Sequence, residues 1–211
     1  MTLMIRHFSM KIEIGMAVGA KLASLPIVCS GHWQSSAGYH SSDKCFSYVE
    51  GEWQHFATMI RRRAEAAGIV YNNGFHIFGG REEETNTILQ SSEIVKEDGS
   101  STEGPQLPAN ISAHAIASIN STVSIITGGL TVNAYPNNYS DKTWYFNHAT
   151  QEFQPGPNML EARTGHTSGT IIDQESKEKM VIIAGGESSA WPPGLRDSTD
   201  ILLNGQWVTG R

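Results

Sequence analysis

The sequence is short of charge, of cysteine and of long apolar runs, and each shortage excludes something. Only 17% of the 211 residues are charged, well below the enrichment that keeps a chain from burying a core. With 39% apolar and aromatic residues and 21 glycines, the composition is that of one globular domain. Basic residues number 15 against 21 acidic ones, a formal net charge of -6. Nucleic acid and anionic membrane surfaces reward dense Lys and Arg, so no nucleic-acid partner is expected. The one basic run, Arg61 to Arg63, is followed at once by Glu65 and reads as a solvated loop. No stretch reaches the roughly 18 apolar residues of a membrane helix. The best candidate, from Ile12 to Val28, is broken by Glu13 and Lys21, which spoils it as a secretory signal as well. No membrane insertion is expected.

Catalytic signatures are also missing. There is no nucleophile elbow, no phosphate loop and no dinucleotide fingerprint. The eight histidines are scattered, without the spacings that gather a metal. No cofactor and no metal are expected, and no segment has a convincing helical pattern.

What is present is a repeat. A glycine pair follows a short β-branched run at Gly79-Gly80, Gly128-Gly129 and Gly185-Gly186, and a degenerate copy reads Cys29-Ser30-Gly31. The second glycines fall 49, 49 and 57 residues apart. Other landmarks move with them. A large apolar residue opens each unit at Met10, Met59, Leu107 and Met159, followed four residues later by Ile14, Arg63, Ile111 and Arg163. An aromatic near the end falls at Trp53, Phe153 and Trp207, with Ser101 in the second copy. His114 and His166 are equivalent, which explains both as structural residues. The units run over about 10–58, 59–106, 107–158 and 159–211. Each reads as four short strands; in the second they are expected at 66–71, 75–78, 92–96 and 101–104, with Asn72-Asn73-Gly74 as the first hairpin turn.

A unit of this length, with a glycine pair after the second strand and an aromatic in the fourth, resembles the kelch repeat, the blade of a β-propeller. The most specific stretch is Met159-x3-Arg163-Thr164-Gly165-His166. Ser30, Ser101, Ile14 and Ile111 depart from the pattern. The expected fold is all-β, a kelch-type propeller segment of about four four-stranded antiparallel blades forming a single domain over 1–211. Kelch propellers close with more blades than four, and residues 1–9 resemble the end of a blade, Arg6-His7-Phe8 matching Gln54-His55-Phe56. The chain is therefore expected to be part of a larger propeller or an open arc, a closed four-bladed ring being the alternative.

The resemblance implies a protein-binding module whose ligand, a protein or peptide, docks on the face built by the loops after the glycine pairs. Those loops carry His32, Trp33, Tyr39 and His40 in the first unit, Arg81 and Glu82, Glu83 and Glu84 in the second, Tyr135 and Tyr139 in the third, and Glu187, Trp191 and Arg196 in the fourth. The acidic run hints at a basic partner. Cys29 and Cys45, the only cysteines, sit where extracellular kelch propellers carry a disulfide; two buried thiols are the alternative. Sequons occur at Asn110, Asn120 and Asn138. Together these features lean toward an extracellular rather than a cytoplasmic protein and leave the compartment open. Galactose oxidase and its relatives, and kelch sugar-acid epimerases, make a propeller enzyme the competing function, but Cys45 has a better partner in Cys29 than in Tyr39 or Tyr48. A ubiquitin-ligase adaptor would need domains outside this sequence.

Overall fold

The computed structural model describes residues 15–131, 138–174, 177–188 and 194–210, and every regular element among them is a β-strand. In chain order these are β1 (Val18–Leu22), β2 (Leu25–Cys29), β3 (His32–Ser35), β4 (Gly38–Val49) and β5 (Glu52–Arg63). The second group is β6 (Ala67–Tyr71), β7 (Gly74–Phe78), β8 (Arg81–Glu82), β9 (Thr87–Ile88), β10 (Ser92–Lys96) and β11 (Ser101–Glu103). There follow β12 (Ala115–Ser118), β13 (Val123–Thr127), β14 (Thr143–Asn147) and β15 (Glu152–Pro155). The last group is β16 (Arg163–Thr164), β17 (Thr167–Ile172), β18 (Lys179–Ala184), β19 (Glu187–Ser188), β20 (Gly194–Leu195), β21 (Thr199–Leu203) and β22 (Gln206–Thr209).

Four antiparallel meanders result: β1-β2-β4-β5, β6-β7-β10-β11, β12-β13-β14-β15 and β17-β18-β21-β22. The fold is all-β, a propeller-like segment of small sheets, and the four strands of the second sheet fall within a residue of their expected places. No helix is long and apolar enough to cross a membrane among the described residues. The first-strand turns and third-to-fourth-strand turns of a meander lie at one end of its sheet, and the post-glycine connections at the other. At that second end β3 folds onto the start of β4, β8 pairs β9, and β19 bridges β16 and β20.

The core lies between the sheets. Leu22, Ile27 and Met59 from the first sheet meet Phe75, Ile77 and Val95 from the second. Phe78 from the second meets Ile126 and Phe146 from the third, and Ala117 and Ile125 from the third meet Val181, Ile183 and Trp207 from the fourth. In the two inner sheets the second strand is therefore covered on both faces: all five residues of β7 and four of the five of β13 are buried, which a continuous apolar run encodes. Fourth strands alternate or lie open, as in β15 and β22.

Backbone hydrogen bonds tie each sheet to the next at the glycine pairs. The second-glycine N–H of Gly31, Gly80 and Gly129 donates to the carbonyl of Arg63, Ile111 and Arg163 respectively, at 2.9, 2.8 and 2.8 Å. A second series links residues in left-handed conformation: Glu65, Ala113 and Gly165 donate their N–H to the carbonyls of Met16, Glu65 and Ala113. The first glycine is required for a different reason. At Gly79 and Gly128 φ is 57° and 61°, and a Cβ would strike the carbonyl oxygen of Ile111 or Arg163 on the following sheet. In the first sheet Ser30 takes this position at φ 62°, fully buried, its hydroxyl without a partner.

The Arg61 to Arg63 run is not the solvated loop its charge suggested. It ends β5, and Arg63 is fully buried. Its Nη1 donates to the Gly79 and Ser91 carbonyls, and its Nη2 lies 2.5 Å from Glu93 Oε1. Arg163 repeats the arrangement with Ser198 and Asp200, 3.0 Å away. Where the arginine is replaced by Ile111, the position equivalent to Glu93 and Asp200 holds Trp144, packed against the same apolar cluster. A fourth-strand bulge accompanies the first arginine: Asp43 of β4 faces the stretch 59–62, and Ile60 and Arg61 donate their N–H to Glu93.

Candidate functional site

Cys29 and Cys45 occupy directly opposed positions on β2 and β4, with Cα atoms 4.0 Å apart, and form a disulfide; both are fully buried. The bond closes a loop of 16 residues on the two strands that lead into the first post-glycine hairpin. Its entropic contribution is about 3 kcal/mol, spent on fixing the base of that hairpin.

The hairpin of β3 and β4 carries His32, Trp33, Tyr39 and His40. Period-two alternation puts the pair Trp33 and His40 on one side and His32 and Tyr39 on the other. Trp33 stacks on His40 with centroids 4.5 Å apart, and Tyr39 tilts onto His32 at 5.0 Å. Both large rings stay open to solvent, Trp33 at 43% and Tyr39 at 53%. Each large ring is thus exposed while a histidine partner restricts its freedom.

The acidic run of the second unit holds this hairpin in place. Glu84 accepts from the Ser41 N–H at 3.2 Å and the Ser41 hydroxyl at 2.9 Å, and stands 3.7 Å from His40 Nδ1 and 3.4 Å from Arg62 Nη1. Burial alone would raise the Glu84 pKa, but hydrogen bonds from backbone, Ser41 and Arg62 outweigh it and hold the carboxyl below its ordinary value. Glu83 donates its N–H to Ser41 Oγ at 2.6 Å, and its carboxylate takes Arg81 at 2.9 Å with His32 at 3.6 Å. Arg81 also reaches Glu65 at 2.8 Å. Glu82 accepts the Thr85 hydroxyl. Glu83 and Glu84 are thus engaged by cationic and hydroxyl groups of the molecule itself, whereas Glu82 is met only by a neutral hydroxyl.

The remaining loops contribute less. Tyr139 is half-buried and bridges the backbone of Leu130. Arg196 Nε donates to Glu161 at 2.9 Å, and Glu187 pairs through its backbone with Thr164 and Leu195. Tyr135 and Trp191 lie outside the described residues. Of the sequons, Asn110, Asn120 and Asn138 are all exposed. Asn120 Oδ1 accepts from Thr122 and Val123 in the turn between β12 and β13.

Sequence reasoning did not find Ser41, Arg62 or the acids opposite the arginines. Ser41 carries no local signal. Glu93 and Asp200 did have one: in the two units with an arginine among the described residues, each stands in the third strand two residues after a serine, at Ser91 and Ser198.

At the opposite, turn end, a cleft of about 580 Å³ opens between the second and third sheets, lined in part by Tyr71, Asn73, His76, Lys96, Asp98 and His148. His148 stacks on Tyr71 at 4.5 Å and bonds Ser124 Oγ at 2.8 Å. Burial, with His76 beside it, pushes the His148 pKa down to about 4. Among the described residues no three His, Cys, Asp or Glu side chains converge as a metal site would need.

No family model matches the chain, and no curated protein does. Among solved structures, the one titled "Structure of YjhT" superposes with a TM-score of 0.79 over 94% of this chain and 70% of that chain, at 11% identity. At that identity the likeness carries the fold alone, and that fold is β-propeller-like.

Proposed function

We propose that the chain is a protein-binding, non-enzymatic segment of a kelch-type propeller, and that its ligand docks on the post-glycine face of the first two sheets. The observation that carries this reading is the β3–β4 hairpin. Two large aromatics stay exposed there while a disulfide below and two carboxylates beside them restrict their movement. Ordering such a surface beforehand lowers the entropy lost on docking. The kelch assignment is supported by the glycine pairs, whose spacing is matched by one recurring inter-sheet hydrogen bond. The disulfide and the exposed sequons support an extracellular setting.

The test compares capture of proteins from a native extract by wild type, by Trp33→Ala/Tyr39→Ala, and by Asn73→Ala/Lys96→Ala at the turn end. A binding protein retained by wild type and by the turn-end variant, and lost with the hairpin variant, supports the reading. Retention by the hairpin variant and loss with the turn-end variant moves the site to the cleft and overturns it.

A further inference from the structure

The molecule is acidic overall, yet beside the aromatic hairpin two exposed arginines, Arg61 and Arg62, stand against one exposed carboxylate, Glu84. Arg62 is 59% exposed and touches Glu84, which in turn contacts the His40 that carries the Trp33 ring. Tryptophan, histidine, carboxylate and guanidinium thus form one continuous surface. Arg61 beside it is exposed, and Ile60 is 52% exposed. All three residues stand on the β5 bulge, whose backbone is pinned by Glu93, the carboxylate that also holds buried Arg63. The bulge is therefore a rigid support for two outward arginines. The carboxylates nearest them are already engaged: Glu84, itself exposed, is shared among Ser41, His40 and Arg62, and half-buried Glu83 is turned toward Arg81 and Ser41.

We infer that this patch, Trp33 on the hairpin with Ile60, Arg61 and Arg62 on the bulge, binds a short acidic peptide segment that carries an aromatic side chain. The inference rests on the protein-binding reading and reverses the sign of partner that the acidic run suggested. Two physical points select a short segment. A large acidic partner would meet the -6 net charge, while charges more than about 8 Å apart are screened at physiological salt, so a local contact feels mainly the arginines. Arginine forks take carboxylates bidentately, and Trp33 offers an apolar face on the same side of the hairpin.

The test uses a fluorescein-labelled random Glu–Tyr copolymer as probe, read by fluorescence polarisation, with a Lys homopolymer and a single-stranded DNA oligonucleotide as comparators. The copolymer is expected to bind at low salt, to weaken as salt is added, and to bind more tightly than either comparator. Arg61→Glu/Arg62→Glu and, separately, Trp33→Ala are expected to weaken it by about tenfold or more with thermal unfolding unchanged, because these side chains are exposed. No copolymer binding, preference for the Lys polymer, equal affinity for DNA, or unchanged affinity in the arginine variant overturns the inference. If the arginine variant binds the copolymer as wild type does while Trp33→Ala/Tyr39→Ala still loses its captured protein, the acidic assignment alone falls and the binding face stands.

Discussion

The first glycine of each pair shows how one hydrogen atom in place of a methyl group decides whether two sheets can meet. Gly79 and Gly128 both lie in the left-handed region, where any Cβ costs roughly 1–2 kcal/mol. Both also face a backbone carbonyl of the next sheet that no side-chain rotation can move away. Gly185 has the same dihedral, φ 68°, but a Cβ there would find only the Arg196 carbonyl at 3.7 Å, an ordinary contact. The two costs therefore separate. Gly128→Ala is expected to lose at least about 3 kcal/mol, the backbone penalty plus forced separation of packed sheets. Gly185→Ala is expected to lose only the backbone part, about 1 kcal/mol. Urea unfolding of the two variants measures both; equal losses would show that packing at Gly128 contributes nothing. Ser30 illustrates the same position with a Cβ tolerated.

At the scale of the element, the sheets solve one problem in two ways. A residue entering each sheet must fill the space beside the glycine pair, and either an arginine with a carboxylate or an isoleucine with an aromatic does so. Arg163 with Asp200 is the first kind; Ile111 with Trp144 is the second. In the Arg163 pair, burial raises the Asp200 pKa while the guanidinium lowers it, and burial prevails. Removing one partner leaves a buried charge uncompensated, at about 3–5 kcal/mol, whereas replacing both with packed apolar groups is near neutral. Arg163→Ile is expected to lose about that much, and Arg163→Ile/Asp200→Trp to recover most of it; a double variant no better than the single one would show the two solutions are not exchangeable. This is also where legibility in the sequence ends. Strand positions, glycine pairs and the cysteine pair are local patterns, and they were readable. Arg63 was misread as solvated because charge in a sequence says nothing of which carboxylate will meet it 30 residues later. The internal contacts of Glu83 and Glu84 were hidden for the same reason: Ser41 and His40, which meet them, belong to the preceding sheet. Packing between sheets, which decides the site, has no local signature.

At the scale of the whole molecule, the same inter-sheet seams that carry the core also bury imidazoles. His114 lies between the second and third sheets with neither ring nitrogen bonded, because Phe78 stands where Thr127 serves the equivalent His166. Burial, with His166 nearby, pushes the His114 pKa down to about 3; burial, with Arg163 nearby, takes His166 to about 4. With His148, also at about 4, three seam histidines bind a proton far more readily unfolded, where the pKa is about 6.5. Above that value they are neutral in both states and stability is insensitive to them. Below it the unfolded chain takes up protons that the folded one refuses, so stability falls as pH falls, by about 1.4 kcal/mol per unit for each group. Three groups give about 4 kcal/mol per unit between roughly pH 6 and pH 4, and a domain stable by about 5–15 kcal/mol is expected to unfold within that window. Urea midpoints taken from pH 8 to pH 5 should be flat above pH 7 and then drop steeply. His114→Leu removes one of the three groups and a buried ring without partners, so its acid slope should be shallower by about one third, with no loss at pH 8. An unchanged slope in that variant would mean His114 takes up its proton in the folded state as easily as in the unfolded chain, and that the seam between the second and third sheets admits water.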